Sequence, residues 1–581
     1  MDANLLAAVP NANVALGLAA TAIALYSLYS YLLPKPIPGI PYNAAAAKNL
    51  LGDAPDMFRS VIVTKEIMAW MAEQSRKLNA PLCQVFVRPF ARPWLLLADW
   101  HEAQDVLLRR GKDFDRSAFS SDLLAPAGAF HIRFKTGDQW RAARKWLTDL
   151  MSPNFLNNVA GPAIYARTQD LVGLWQLKEK LAEGDTFSAK EDIDHVALDG
   201  ILAFIFGEKL NISATRAQIE TLQRCELRLD IGRSLEEKYT SFPHGCLHEF
   251  LQAASQGTAV IEQIINSPMP NWTFWWMKKT GSYKDTMCTK DVYVRKQVRE
   301  SVARMYSSEP GEASQIRSAV DHIVRRERML AEKQDRQPDF DGQQLIDERA
   351  QIFGNVVAAH DTTSSNLIWI LKYLTDMPHV QDKVRTALHK AYPEAASEGR
   401  QPTAAELVQA KVPYLDAVVE EALRLSPISV TREALHDTEL LGHHIPKGTV
   451  VFLLANGASF LDPAFPISEK QRSASSQAAS PNTWDESVDL RAFYPERWLR
   501  NDESGNVVFD PTAGPQLAFG MGSRGCFGKK LAYLEARIIV TMIAWNFELL
   551  PVDKELSGYG ATDGIAHRAT QCYVKIKSIR R

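Results

Sequence analysis

Residues 519–528 read Phe519-Gly520-Met521-Gly522-Ser523-Arg524-Gly525-Cys526-Phe527-Gly528, a single cysteine among four glycines with an arginine two positions before it. Glycine permits positive φ and close approach of the backbone to another group. The segment is therefore a tight loop, and the fold must bring it close to whatever the cysteine serves. Amides splayed around the sulfur can hydrogen-bond it and tune its donation to a partner. Gly520-x-Gly522-x-x-Gly525 also has the form of a dinucleotide fingerprint. That motif needs a βαβ unit and an acidic residue about 20 positions on. Only 56 of the 581 residues follow Gly525, and a cysteine stands where a phosphate would lie. A buried structural thiol is the usual fate of a free cysteine. It suits Cys83, Cys225, Cys246, Cys288 and Cys572, but it does not account for the glycines and arginine around Cys526.

With 46% hydrophobic residues the chain can bury a large core. A formal net charge of −2 leaves no global basic field to recruit nucleic acid. The scattered cysteines form no CxxC pair, which argues against a disulfide framework or a zinc site. No charged residue occurs from Ala3 to Pro34, and residues 14–33 are 20 consecutive apolar or weakly polar residues, enough to span a bilayer. Tyr26, Tyr29 and Tyr31 lie at the end of this stretch and Lys35 follows it, whereas only Asp2 is charged before it. Positive charge on the inner side places the body in the cytosol. A cleavable signal peptide would need a basic leading region, which is absent. The prolines from Pro34 to Pro41 fix φ and remove amide donors. The expected organisation is a membrane anchor over residues 1–34, a proline-rich hinge over 35–44, and one body over 45–581.

Helical periodicity dominates that body, and strand-like alternation is confined to short pieces such as residues 84–97, so the fold class is mainly α with small β-sheets. Residues 466–487, rich in Ser, Ala and Gln, read as a disordered surface insertion. The aromatic run of residues 271–276 reads as core packing first and an interfacial membrane contact second.

Four further constellations stand in a fixed order. Trp140 and Arg144 are one helical turn apart. Asp361, Thr362 and Thr363 interrupt a long helical pattern, although such residues bond locally and favour caps. Glu421 and Arg424 share a helix face at i, i+3. Arg432 and then Pro495-Glu496-Arg497 precede the cysteine loop. Together these segments resemble the cytochrome P450 family. The loop matches FxxGxRxCxG, residues 358–363 match (A/G)Gx(D/E)T(T/S) except for Ala359 where glycine is usual, and the others match WxxxR and ExxR.

The resemblance implies one large helical cytochrome P450-type domain behind an N-terminal transmembrane helix. It also implies a haem b whose iron takes the Cys526 thiolate, a ligand that favours O–O cleavage. Trp140, Arg144, Arg432, Phe519, Arg524 and Gly528 would complete the cofactor site. Thr362 and Asp361 would be the alcohol and acid that carry protons to dioxygen. Glu421, Arg424 and Arg497 would support the loop from behind. Arg141, Lys145, Lys529 and Lys530 would steer an acidic electron donor. The implied function is a monooxygenase of specialised metabolism, fungal by its pattern, that acts on a small, mostly apolar molecule. Its electrons would come from a separate NADPH-dependent reductase, with cytochrome b5 as a second donor, at the endoplasmic reticulum membrane. A haem-thiolate isomerase or dehydratase acting on peroxides, and a non-catalytic haem sensor, are the other readings, and the intact Asp361-Thr362 pair argues against both. The cavity would be lined by residues 117–130, 224–273 and 430–434, the helix before Ala358 and the turn 564–567. Phe130, Phe353 and Ile565 suggest an apolar ligand.

Overall fold

The computed structural model describes residues 12–127, 130–226, 238–267, 269–307, 315–340 and 343–579, of which 12–15, 225–226 and 343–353 are described by backbone alone. Asp2, the residues before 12 and the Phe353 side chain therefore lie outside the described residues.

Helix α1, Ala12–Leu32, stops where Pro34 and Pro36 make continuation impossible. Leu16, Leu18, Ile23 and Leu25 along it are exposed. Among the described residues no helix is long and apolar enough to cross a membrane, which corrects the expectation of a span over residues 14–33. Hydroxyl-bearing Tyr26, Ser27, Tyr29, Ser30 and Tyr31 dilute the second half, and Tyr29 donates to the Lys48 carbonyl at 2.8 Å, tying that end to the body.

The body is mainly helical with small sheets. Helices α2 (Trp100–Leu108) and α3 (Asp138–Leu147) flank the cysteine loop. Helices α4 (Gly161–Ala182) and α5 (Lys190–Phe206) lie in the core, and α6 (Glu249–Ile265) and α7 (Pro270–Met277) lie towards the surface. Helix α8 (Gln343–Asp376) crosses the molecule, followed by α9 (Pro413–Leu425) and α10 (Lys529–Asn546). Leu171 and Trp175 of α4, Leu202 of α5, Ile370 of α8, Val418 of α9 and Ile539 of α10 belong to one buried cluster. Burial of such side chains contributes about 1.5–3 kcal/mol each.

A five-stranded sheet holds β1 (Leu82–Val85), β2 (Trp94–Leu97), β3 (Phe114–Asp115), β4 (Val430–Ala434) and β5 (Val450–Leu453) in the order β1-β2-β5-β4-β3. β2 and β5 are parallel and the other pairs antiparallel. Successive side chains alternate between faces. Leu95, Leu97, Val451 and Leu453 therefore enter one core and Trp94, Leu96 and Phe452 another. A C-terminal hairpin, β6 (Ala561–Asp563) and β7 (His567–Ala569), reaches back to α8.

Two expectations change. Residues 466–487 are ordered, with short helical turns at Glu469–Gln471 and Ala474–Gln477. Arg472 pairs with Asp99, Nη2 to Oδ2 at 3.1 Å, and the Ser473 and Ser475 hydroxyls donate to Asp105 at 2.9 and 2.7 Å. Composition shows a polar segment but not the buried acids that pin it, Asp99 at the cap of α2 and Asp105 within it. In α7, Trp272, Trp275 and Trp276 are exposed rather than packed in the core.

Candidate active site

The cysteine loop is closed by backbone hydrogen bonds, with the Cys526 amide donating to the Phe519 carbonyl at 2.7 Å. Gly522 has φ +66°, and a Cβ there would lie 2.6 Å from the Leu107 carbonyl oxygen of α2, so only glycine fits. A Cβ on Gly528 would meet no protein atom within 4 Å; the space beside it belongs to a cavity of about 490 Å³. Cys526 opens onto that cavity. Burial pushes its thiol pKa up, while the Gly528 and Lys529 amides at the start of α10, and the Lys529 and Arg144 charges, pull it down. A helix N-terminus favours an anion in this way.

Arginines gather at one side of the cavity. Arg144, on α3, donates to the Ser523 carbonyl at 2.6 Å; Arg524 donates to Phe134 O at 2.8 Å and lies 4.7 Å from the Trp140 ring centroid. Arg432, from β4, is 4% exposed. The structure adds Arg116, which the sequence reading missed. Its Nε, like Nε and Nη1 of Arg524, has no hydrogen-bond partner among the described residues. Burial lowers the pKa of all four, to about 10 for Arg116 and about 9 for Arg432. Asp115 is the carboxylate that acts on Arg116, Arg432 and Arg524. Buried cations left unpaired are costly, so this corner fits a ligand with anionic groups.

Helix α8 passes the other side. The Thr362 hydroxyl donates to the Ala358 carbonyl at 2.8 Å, a bond that lets a threonine sit within a helix, and Thr362, Ala358 and Ala359 line the cavity. Asp361 does not line it. Its carboxylate, 2% exposed, accepts from Arg568 at 2.8 Å. Phe130, Ile265 and Ile565 line the cavity as expected for an apolar ligand.

Glu421 and Arg424 are bonded within α9 at 2.7 and 2.8 Å, and Arg497 reaches Glu421 at 3.0 Å. The Tyr494 amide and Trp498 indole fill the remaining acceptor positions at 3.0 and 2.9 Å. The adjacent Glu420 accepts from Tyr533 of α10, and its carbonyl accepts from Gln516 at the entry to the cysteine loop at 3.3 Å.

The chain matches the family described as cytochrome P450 over residues 63–465 and 480–566. The chain belongs to the cytochrome P450 family. It is 39% identical over 558 residues to the cytochrome P450 monooxygenase xilC of Penicillium rubens, covering 95% of this chain and 94% of that protein. It is 35% identical over 587 residues to the cytochrome P450 monooxygenase TRI13 of Fusarium sporotrichioides, covering 97% and 99%. The crystal structure of the cytochrome P450DA heme domain superposes with a TM-score of 0.62 at 18% identity, covering 94% of this chain and 99% of that one, and shares the fold.

Membership makes the protein a cytochrome P450 monooxygenase with haem b and cysteine thiolate ligation, which takes electrons from a redox partner and oxidises a small molecule. The pocket fits that group: a sulfur at the mouth of the cavity, a glycine leaving room beside it, and unpartnered guanidinium nitrogens for two propionates. The family match skips residues 466–479, the heart of the segment pinned to α2. Arg116 could have been found as a cation beside the Phe114-Asp115 strand. Arg568 carries no motif signal.

Proposed function

We propose that Cys526 is the axial ligand of the haem, because among the described residues it is the cysteine on the cavity and the start of α10 aims two amides at its sulfur. Trp140, Arg116, Arg144, Arg432 and Arg524 hold the propionates, and Phe519 and Gly528 shape the proximal wall. Glu421, Arg424 and Arg497 keep the loop's support fixed through α9. When bound, the haem supplies the redox centre at which dioxygen is activated, one oxygen atom entering the substrate and the other leaving as water. Thr362 presents its hydroxyl to the cavity and Asp361 is the acid behind it that supplies protons.

The substrate is small and mostly apolar, which the walls from Phe119 to Ile565 support, and the fungal relatives support a role in specialised metabolism. Electrons come from a separate NADPH-dependent reductase, with cytochrome b5 as a second donor. It docks on the side of α3 and the start of α10, where Arg141, Lys145, Lys529 and Lys530 are exposed. Residues 1–34 attach the enzyme to the endoplasmic reticulum membrane, through the hinge at 35–44, with the body at 45–581 in the cytosol. The exposed apolar face of α1 and the exposed tryptophans of α7 support this placement.

The carbon monoxide difference spectrum of the reduced protein tests the ligand. A strongly red-shifted Soret band is expected in the wild type and not in Cys526→Ser; a histidine-like band in both overturns the reading. Thr362→Ala separates oxygen insertion from peroxide rearrangement. A monooxygenase then leaks peroxide, whereas an isomerase is unaffected.

A further inference from the structure

Asp361 and Thr362 are neighbours on α8 but face different partners. Thr362 opens onto the cavity, and Asp361 is turned into a buried charge cluster. Arg568, on β7, donates one guanidinium nitrogen to Asp361 at 2.8 Å and pairs through another with Asp194 of α5. The cluster is incompletely satisfied: Arg568 Nε and Asp194 Oδ1 have no hydrogen-bond partner among the described residues. Glu262 of α6 stands beside it, its Cγ 3.7 Å from the position of a Cβ on Gly564.

Arg568 follows the turn of the β6–β7 hairpin. Gly564, Ile565, Ala566 and His567 of that turn line the cavity. The His567 carbonyl accepts from Ser365 and Trp369 of α8 at 2.9 and 2.8 Å, and its ring stacks on Trp369 at 5.6 Å and 6°. The surface that meets a ligand is therefore bonded both to the helix that carries the acid and, one residue on, to the acid itself.

We propose that Arg568 is a positioning residue that couples the ligand-contacting turn 564–567 to Asp361, holding the carboxylate away from Thr362 until a ligand shifts the turn. Movement of Arg568 towards Asp194, whose side chain is 26% exposed, then frees Asp361 to turn to Thr362 and leaves Asp194 as the solvent-side end of the path. This rests on the reading of Thr362 and Asp361 given above. The charged and titratable groups that act on Asp361 are Arg568, Asp194 and Lys190 of α5, Glu262 of α6 and His360 of its own helix. Burial pushes Asp361 up and Arg568 pulls it down, so removing the guanidinium moves its titration to higher pH.

The experiment compares wild type, Arg568→Gln and Arg568→Lys as holoenzymes, with a purified reductase and no added substrate. Uncoupled NADPH oxidation is followed against pH and in deuterated water. In Arg568→Gln the limb set by Asp361 moves to higher pH and the solvent isotope effect changes by about twofold or more, while Arg568→Lys stays near wild type. Peptide-resolved hydrogen exchange of the haem-free proteins reads the coupling independently: residues 560–570 and 358–369 open together in wild type and separately in Arg568→Gln. An unmoved pH limb and isotope effect, with a lowered melting temperature alone, makes Arg568 merely structural and overturns the proposal. If the wild type lacks the thiolate band, the haem reading fails, and joint opening in Arg568→Gln overturns the coupling by itself.

Discussion

Two buried charge clusters flank the same cavity, and they are built in opposite ways. Around Glu421 both carboxylate oxygens are filled, by Arg424, Arg497, the Tyr494 amide and the Trp498 indole, with Glu421 and Arg424 fully buried. Around Asp361 the partners come from three elements, two polar atoms lack partners among the described residues, and burial pushes both Asp361 and Glu262 up. A saturated network has one arrangement and specifies a position. An unsaturated one has alternative pairings of similar energy and can move. The difference agrees with the roles proposed for them, support for the first and proton handling for the second.

The largest effect expected is at the saturated cluster. Glu421→Gln leaves Arg424 and Arg497 buried without a counter-charge, at a cost of about 3–5 kcal/mol, measured as the shift of the urea midpoint and the loss of haem-loaded protein. Asp194→Asn, in a pair whose side chains are 21% and 26% exposed and whose Arg568 keeps Asp361 as a counter-charge, costs less, on the order of 1 kcal/mol. Equal losses at the two sites would erase the distinction.

Glu535 sharpens it. This carboxyl sits on α10, 1% exposed, accepts from Thr363 of α8, and has one oxygen without a partner among the described residues. Burial raises it from 4.5 to about 8. The folded protein therefore holds a proton that the unfolded chain has released, and stability falls as pH rises from 4.5 through 8. Glu535→Gln cannot ionise and escapes this loss. Melting temperatures of the two proteins should agree near pH 5 and separate, with the variant higher, as pH rises to 8. Parallel curves would show that Glu535 is fully compensated and belongs with Glu421.

The saturated cluster was legible from sequence because its members lie in motifs of fixed order, and resemblance placed Glu421, Arg424 and Arg497 together before any contact was known. The cysteine loop was legible for a different reason. Gly520 and Gly522 do adopt positive φ, which a glycine-rich composition permits, whereas Gly525 and Gly528 keep negative φ. The second cluster was half visible. Asp361 stood out as a helix-breaking residue within a helix, but Arg568 lies 207 residues away on a hairpin of a few residues, too short for periodicity to locate. Residues 466–487 failed for the same reason, since the acids that order them are contributed by α2.

A third set of charges differs from both clusters in being exposed, and the smallest effect on stability belongs there. Lys145 on α3 and Lys530 on α10 face solvent, and the Arg144 bond to Ser523 ties α3 to the cysteine loop, so both lie on the loop's side of the protein. Water and salt screen such charges, and reversing them changes stability by no more than about 0.5 kcal/mol. Their field still steers an oppositely charged partner. Lys145→Glu with Lys530→Glu should slow reduction by the reductase about tenfold at low ionic strength, with the gap closing as salt rises. Lys529 is left intact in this test because its charge also lowers the Cys526 thiol pKa, and reversing it would alter the ligand as well as the docking. Stopped-flow reduction across a salt series decides the matter. Identical rates at low salt would move the docking site elsewhere, whereas a deficit that persists at high salt would mean that the lysines act on the loop rather than on the partner.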